Sequence, residues 1–486
     1  MGLFTKGFDL RALRRYSGRM NDARTVHIRN FGCQMNKLDT ALVSAALREA
    51  GFSLTDSVKD ADAVVINTCS VREHAEARVL SHLGHLKHLK KHRPGMVVAV
   101  IGCMAQRLGE ALLEHDVVNV VCGPGQVPQL VGLVEDALSQ NPKRLAVAEA
   151  VRKPADTSSE ALEQFESSYG HRNDEAGTAP GQAFVRVMRG CDNFCTYCIV
   201  PYVRGPEQCR RPQRILSQVR RLADEGVRQV TLLGQTVNAY GYQDGDKAYS
   251  LADLLGMVAD VEGIEWIRFV TSYPSEEFYD DILHAMASSP KVCNYLHMPA
   301  QSGSDRVLRA MNRHYTAEQY LDLLARARRI VPEIAIAGDF IVGFPGETEE
   351  DFQATVDLVR RARYRNCFIF RYSPRPGTTA DKRHRDSVPD EVKQRRNVEL
   401  LAVQEAISEQ VSGEFLGRTV TVLAEGLSKR AHVNPTDAQN HPQLMGRTAT
   451  DSIVVFNGSP SLAGRFVDVR ITATSPLTLF GALASG

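Results

Sequence analysis

The chain has 486 residues, of which 43% are hydrophobic and 24% charged, as is usual for a globular protein of about three domains. Its 58 Lys and Arg nearly balance its 57 Asp and Glu, so the net charge identifies no partner. No apolar run approaches the ~18 residues that a membrane span needs. Ten cysteines are too few for a small secreted disulfide scaffold. These numbers exclude membrane, fibrous, disordered and disulfide-framework proteins.

Residues 1–24 are predicted to form a basic N-terminal arm, because six Lys and Arg outnumber two Asp there. The segment has no apolar stretch followed by a small-residue cleavage site, so a secretory signal is not expected. A solvated arm or an over-long start fits the composition better than a mitochondrial presequence, which is poorer in acids.

Residues 25–141 alternate short β-branched runs with helical patterns, which predicts βα units around an open parallel sheet. The predicted strands are Val26–Arg29, Ala63–Asn67, Met96–Ile101 and Val117–Val121. The predicted helices are Lys37–Ala50, Val71–Lys91, Gln106–Glu114 and Gln126–Leu138. Residues 142–180 are polar and lack periodicity, so we interpret them as a linker with a helical piece near Ala161.

A second βα series over residues 181–411 predicts a partial barrel of six units, smaller than the eight-unit version. Its predicted strands are Ala183–Met188, Gln229–Leu233, Trp266–Thr271, Asn294–His297, Ile334–Val342 and Asn366–Arg371. Its predicted helices are Arg214–Glu225, Glu276–Met286, Thr316–Ile330, Glu347–Arg363 and Glu391–Val411. In residues 412–486, the short strands Thr419–Ala424, Ile453–Phe456 and Phe466–Thr472 predict a small all-β barrel. The fold class is therefore α/β with a C-terminal β-barrel.

Three cysteines, Cys191, Cys195 and Cys198, form a C-x3-C-x2-C motif directly after the first predicted barrel strand. That position is the carboxyl end of the strand, where such barrels place their chemistry. Thiolates are the usual ligands of iron–sulfur clusters, and three of them leave one iron of a four-iron cluster open to a small molecule. A zinc site and three structural thiols are the alternatives, although zinc normally takes four ligands.

A second set of cysteines, Cys33, Cys69 and Cys103, has no local motif, but each follows a predicted strand of the N-terminal sheet. Because the carboxyl ends of neighbouring parallel strands converge on one crevice, the three thiols are expected to meet there. The helix N-termini that follow favour thiolates, so a second cluster with an open iron is predicted. Cys122 follows the fourth strand at the same level, and we interpret it as a buried structural thiol. The same interpretation is given to Cys209, Cys293 and Cys367.

The C-x3-C-x-aromatic-C motif resembles the radical S-adenosylmethionine (SAM) superfamily. Together with the three-unit order, four segments resemble the methylthiotransferases of the MiaB type, whose units are called the methylthiotransferase N-terminal domain, the radical SAM core and the TRAM domain. The segments are G-C-Q-M-N at 32–36, N-T-C-S-V-R-E-H-A-E at 67–76, V-M-R-G-C-D-N-F-C-T-Y-C-I-V-P-Y-V-R-G at 187–205 and Y-S-P-R-P-G-T at 372–378. One departure is Thr236, where the family pattern usually has Asn.

The resemblance implies two [4Fe-4S] clusters and SAM as cofactors. The cluster on the C-x3-C-x2-C motif would cleave one SAM reductively to a 5′-deoxyadenosyl radical, and the other would present sulfur that a second SAM methylates. The product would be a methylthio group on C2 of N6-isopentenyladenosine next to the tRNA anticodon. Expected SAM contacts are Tyr197, Gly234, Gln235, Gln301, Asp339 and Gly343, while no catalytic residue is assigned. The alternatives are an ordinary packed tyrosine at Tyr197, and a turn glycine or a satisfied buried polar group at the other positions.

The sequence indicates the partners and the substrate less specifically than it indicates the cofactors. Close relatives modify threonylcarbamoyl-adenosine or a ribosomal-protein aspartate, and a non-catalytic iron–sulfur or RNA-binding protein is the alternative from another class. Residues 360–397 hold 12 Lys and Arg against four acids, which suits either phosphate contacts or a solvated face. An electron donor such as flavodoxin or ferredoxin is an expectation of the family. The cysteines need reducing surroundings, which favours the cytoplasm. The oligomeric state stays open.

Overall fold

The computed structural model describes residues 24–70, 73–140, 142–148, 156–169, 178–270, 272–275, 279–429 and 442–484. The basic arm predicted for residues 1–24 lies outside the described residues except for Arg24. Among the helices that are described, none is long and apolar enough to span a membrane.

The N-terminal unit is an open sheet of six parallel strands. Its strands are β1 (Thr25–Phe31), β2 (Ser53–Leu54), β3 (Ala63–Thr68), β4 (Val97–Gly102), β5 (Val120–Cys122) and β6 (Arg144–Ala146), in the spatial order β2-β1-β3-β4-β5-β6. Every residue of β3 and β4 is buried, which explains their continuous apolar sequence. The predicted open parallel sheet is confirmed.

Helices cover both faces of this sheet. They are α1 (Gln34–Glu49), α2 (Glu73–His92), α3 (Cys103–Leu108), α4 (Glu110–Leu113), α5 (Leu130–Gln140) and α6 (Asp156–Tyr169), with a short 3-10 helix at Val127–Gln129. The prediction of one helix over Gln106–Glu114 is wrong, because Gly109 adopts a φ of 49° and separates α3 from α4.

The stretch interpreted as a linker contains regular structure. The helical piece expected near Ala161 is α6, and β6 adds a strand to the sheet edge that the sequence did not indicate. Strand β6 has only three residues, too few to show an alternating pattern.

The central unit holds six parallel strands in chain order, which confirms the partial barrel. They are β7 (Gln182–Arg186), β10 (Gln229–Leu233), β13 (Trp266–Val270), β14 (Tyr295–His297), β15 (Ala335–Val342) and β16 (Asn366–Arg371). Two short antiparallel pairs are inserted between them. These are β8 (Met188–Arg189) with β9 (Gln208–Cys209), and β11 (Gly241–Asp244) with β12 (Lys247–Ser250).

Helices α7 to α15 surround the barrel. They are α7 (Val200–Val203), α8 (Pro212–Asp224), α9 (Leu251–Ala259), α10 (Tyr279–Ser288), α11 (Asp305–Ala310), α12 (Ala317–Ile330), α13 (Glu349–Ala362), α14 (Thr379–Arg383) and α15 (Asp390–Gly413), with a 3-10 helix at Val237–Ala239. Several begin at a hydroxyl side chain that accepts from a backbone N–H of the first turn, as Thr316 and Thr348 do.

The C-terminal unit is a closed five-stranded barrel, as predicted, with the order β17-β18-β19-β21-β20. Its strands are β17 (Thr419–Leu427), β18 (Gln443–Arg447), β19 (Ile453–Asn457), β20 (Phe466–Thr474) and β21 (Thr478–Leu483), and a 3-10 helix lies at Pro460–Leu462. Buried Arg365 connects this barrel to the central unit. It donates from Nε to Ser452 Oγ (3.0 Å) and from Nη1 to Ser412 Oγ (2.8 Å) and Pro476 O (3.1 Å).

The N-terminal core continues into the central barrel. Leu233, at the end of β10, belongs to the same apolar cluster as Val26 and Met35, and it is only 1% exposed. Phe184 and Val270 from the neighbouring barrel strands pack against this cluster as well. The N-terminal unit therefore covers part of the barrel at β7, β10 and β13.

Candidate active site

The C-x3-C-x2-C loop begins at a glycine that no other residue can replace without movement. Gly190 has a φ of 77°, and a Cβ there would lie 1.8 Å from Pro206 O. Further on, Phe194 has a φ of 49°, and Asn312 Nδ2 holds the loop by donating to Asn193 O and Phe194 O, both at 3.1 Å. The loop is thus fixed at its start and in its middle.

Two of the three thiols of this loop have polar side-chain contacts. Cys191 Sγ lies 3.3 Å from Thr236 Oγ1 and accepts from Asn193 Nδ2 at 3.3 Å. Arg313 Nη1 donates to Cys195 Sγ at 3.5 Å. Burial, and then the nearby Cys195 thiol, raise the pKa of Cys198 well above its usual value. Thiolates buried in this way need a cation beside them, which an iron–sulfur cluster supplies.

Two expected SAM residues follow β10, close to Cys191. Gly234 packs so tightly that a Cβ would lie 2.5 Å from Met188 Cγ. Buried Gln235 Oε1 has no hydrogen-bond partner among the described residues, which leaves an acceptor for a ligand ammonium. Thr236, the departure from the family pattern, contacts Cys191, so its hydroxyl takes part in the site.

The remaining strand-end residues lie on β15 and beside it. Gln301 has a φ of 70°, donates from its backbone N to Asp339 O (2.8 Å) and accepts from Ile341 N (3.0 Å). Asp339 Oδ1 lies 3.2 Å from His297 Nε2, so part of its hydrogen-bonding capacity is satisfied within the protein. Gly343 has a φ of 74°, and a Cβ there would lie 2.3 Å from Lys393 Cγ.

Tyr197 packs against a small apolar cluster that includes Met311 and Phe344. The nearby Arg313, which the sequence analysis did not single out, donates to Pro299 O at 2.7 Å and lies 4.2 Å from the ring centroid of Tyr273. An isolated arginine between Asn312 and His314, in the loop from α11 to α12, gives no local signal of this role.

The cysteines of the N-terminal unit lie at the carboxyl ends of three adjacent strands, as predicted. Cys33 follows β1 and caps α1, Cys69 follows β3, and Cys103 begins α3 after β4. Cys33 is exposed, whereas Cys69 and Cys103 are buried. A hydrogen bond with the Cys69 thiol, and then the nearby charge of Arg204, lower the pKa of Cys33 to about 6.

The other cysteines lie in apolar surroundings. Cys122 is the last residue of β5, not the residue after it, and its side chain is 0% exposed within the N-terminal core. Burial raises the pKa of this thiol to about 12. Burial likewise raises the pKa of Cys209, Cys293 and Cys367. These positions are consistent with the structural roles predicted for them.

The segment that follows the first cysteine motif packs against the second cysteine site. Cys103 forms a small apolar cluster with Ile199 and Val203, which directly follow the C-x3-C-x2-C motif. Arg204, at the end of α7, donates from Nε to Cys103 Sγ at 3.3 Å. Local pattern cannot reveal such a pairing, since 101 residues separate the two.

Arg204 belongs to a buried ion network between the units. Two carboxylates and four arginines meet there, so two positive charges are in excess. The carboxylates are Asp39 and Glu166, and the arginines are Arg186, Arg189, Arg204 and Arg210. Each of these side chains is at most 12% exposed. Uncompensated buried charge is costly, so thiolates beside this network are favoured.

Within the described ranges, no three His, Cys, Asp or Glu side chains are grouped closely enough to hold a single metal ion. The chemistry of the two sets of three thiols suits iron–sulfur clusters. The first offers buried sulfurs with an orphaned acceptor at Gln235, and the second lies against excess positive charge.

Comparison with protein families gives three matches along the chain. Residues 25–123 match the uncharacterized protein family UPF0004, residues 185–359 the radical SAM superfamily and residues 413–484 the TRAM domain. Among solved structures, a radical SAM methyltransferase from Kitasatospora setae superposes with a TM-score of 0.51 at 15% identity, covering 72% of this chain and 73% of its own. That likeness shows the fold.

Curated relatives match over nearly the whole length. A tRNA-2-methylthio-N(6)-dimethylallyladenosine synthase from Rhodopirellula baltica is 43% identical over 94% of this chain and 95% of its own. Another of the same name, from Syntrophotalea carbinolica, is 40% identical over 92% of this chain and 97% of its own. These matches confirm the resemblance seen in the motifs. The chain belongs to the radical SAM methylthiotransferases, in the family of tRNA-2-methylthio-N(6)-dimethylallyladenosine synthases.

Proposed function

We propose that this protein transfers a methylthio group to C2 of N6-isopentenyladenosine next to the tRNA anticodon. The observation that carries the proposal is that the segment directly after Cys198 packs on the second cysteine site, where Ile199 and Val203 contact Cys103. A carrier would not need two sites in direct apposition, whereas a sulfur transfer needs both beside one substrate.

The cofactors are two [4Fe-4S] clusters and SAM. Cys191, Cys195 and Cys198 would hold one cluster, and Cys33, Cys69 and Cys103 the other. When bound, the first cluster would supply the electron that cleaves SAM to a radical, the second cluster would supply sulfur, and SAM would supply the methyl group.

The chain's own residues bind and orient. Gln235 Oε1 is the acceptor we assign to the SAM ammonium, because it is buried and lacks a partner among the described residues. The backbone of Gln301 has a left-handed conformation and is fixed by two hydrogen bonds to β15. We assign its side chain to the SAM ribose. Tyr197, which packs against a small apolar cluster, is the residue we assign beside the adenine.

The tRNA would approach over a basic face next to the first cluster loop. Of the 12 basic residues at 360–397, several are buried, for example Arg365 and Arg396. Eight others are exposed. Four of these pair with carboxylates (Arg360, Arg361, Arg363 and Arg395), and the other four are Arg371, Lys382, Arg383 and Arg385. This face is adjacent to the loop, since Ala380 N donates to Thr196 O at 2.7 Å. Phosphate contacts there would weaken with salt.

Two further assignments rest on chemistry alone. A small iron–sulfur or flavin protein, such as ferredoxin or flavodoxin, is the electron donor we expect for reductive cleavage. A reducing compartment, the cytoplasm, suits ten free cysteines.

The test is an anaerobic reaction of the reconstituted protein with SAM, reductant and tRNA that carries isopentenyladenosine. A mass gain of one methylthio group on that nucleoside, with consumption of two SAM, is the expected result. The matched control replaces Cys33, Cys69 and Cys103 by Ser, and should form 5′-deoxyadenosine without product. Formation of 5′-deoxyadenosine by the unmodified protein without a mass gain would refute this substrate and point to another. Absence of both, with two intact clusters, would leave the carrier alternative.

A further inference from the structure

Arg204 lies six positions after Cys198 in the chain, yet its side chain ends inside the N-terminal unit. Its Nε donates to Cys103 Sγ at 3.3 Å, and its Nη2 donates to Asp39 Oδ2 at 3.2 Å. Asp39 is on α1, the helix that Cys33 caps. One guanidinium therefore touches two of the elements that carry the N-terminal cysteines.

The position is enclosed. The Arg204 side chain is 6% exposed, and that of Asp39 is 7% exposed. Water therefore screens the guanidinium weakly, and its charge acts on the neighbouring sulfur more strongly than at a surface. Asp39 also pairs with Arg186, so it does not neutralise Arg204 alone.

We propose that Arg204 is a positioning residue by which the radical SAM unit sets the reduction potential of the cluster held by Cys33, Cys69 and Cys103. Reduction adds negative charge to a cluster, and a cationic donor to a ligand sulfur stabilises that added charge. Removing the donor and its charge lowers the potential. This proposal rests on the proposed function for the identity of the cluster. It adds that a residue of the radical SAM unit sets the reduction potential of the cluster in the N-terminal unit.

The experiment uses the full chain with Cys191, Cys195 and Cys198 replaced by Ser, so that only the N-terminal cluster is reconstituted. Its midpoint potential is measured by anaerobic titration with redox mediators, followed by the electron paramagnetic resonance of the reduced cluster. In this background we compare Arg204→Gln, which removes the charge, with Arg204→Lys, which keeps it and loses the Nε donor.

Arg210→Gln is the matched control. Arg210 is buried in the same ion network, but its hydrogen bonds go to Arg186 O (2.6 Å) and Gln218 Oε1 (2.9 Å). A purely structural effect of removing a buried arginine should appear in both variants.

The expected result is a lower midpoint potential for Arg204→Gln, a smaller decrease for Arg204→Lys, and a potential close to the starting value for Arg210→Gln. An unchanged potential in Arg204→Gln, or an equal decrease in Arg210→Gln, would overturn the proposal. If Arg204→Gln binds no iron, Arg204→Lys decides, and an unchanged potential there would overturn it. The titration needs no tRNA, so its outcome is separate from a failure of the proposed substrate.

Discussion

Replacing Gly190 by Ala tests how the backbone before Cys191 forms the first cluster site. Gly190 has a φ of 77°, a conformation that costs an L-residue roughly 1–2 kcal/mol. A Cβ would in addition lie 1.8 Å from Pro206 O, 2.4 Å from Pro206 C and 2.6 Å from Gly205 O. All three are backbone atoms, so relief requires movement of the loop that carries the cysteines.

Gly226→Ala provides the matched control. Gly226 has a φ of 88°, and no described atom lies within 4 Å of the added Cβ. It therefore carries the conformational cost alone, which corresponds to a decrease of roughly 2–8 °C in Tm for a domain of this size. Any excess loss in Gly190→Ala measures the overlap with residues 205 and 206.

The assay is iron per chain after anaerobic reconstitution, together with Tm by calorimetry. Gly226→Ala should keep about eight irons, whereas Gly190→Ala should fall toward about four, because only the N-terminal site stays intact. Equal iron contents and equal Tm values in the two variants would refute the argument that this close approach shapes the loop.

Three further predictions follow from the cysteine sites and the domain contacts. Cys69→Ser and Cys195→Ser should each lose about half of the iron, but only Cys69→Ser should still form 5′-deoxyadenosine from SAM; equal loss of that product contradicts the separate roles. In cluster-free protein, the rate of Cys33 alkylation should rise with pH and reach half its maximum near pH 6, because only the thiolate reacts. Cys122, whose pKa is about 12, should stay unmodified at pH 8, and peptide mass spectrometry measures both cysteines. Arg365→Ala removes three hydrogen bonds donated by a buried guanidinium, worth about 1.5–3 kcal/mol each, so limited proteolysis should cut faster near the start of the C-terminal barrel. An unchanged cleavage rate counts against this contact.

The sequence predicted those parts of the site that depend on strand ends. Cys33, Cys69 and Cys103 lie where the topology of a parallel sheet places them, because each directly follows a strand whose apolar run is plain in the sequence. Cys191, Cys195 and Cys198 lie within eight residues, so their motif can be recognised from the sequence as readily. Six barrel strands were predicted to within a few residues for the same reason.

Contacts between units were beyond the reach of local pattern. The network of Arg186 with Asp39 joins residues 147 positions apart, and neither residue has a distinctive neighbourhood in sequence. The break at Gly109 was missed since an isolated glycine is tolerated within many helices. The contact of Asp339 with His297 required the register of two strands that the sequence does not specify.

The placement of Arg204 has a consequence for how the protein is made. Synthesis proceeds from the amino terminus, and the N-terminal sheet is complete by residue 146. Cys33, Cys69 and Cys103 therefore leave the ribosome before α7 and Arg204, which later pack against Cys103. During that interval iron and sulfide can reach Cys103 from the side that Ile199, Val203 and Arg204 occupy in the finished protein.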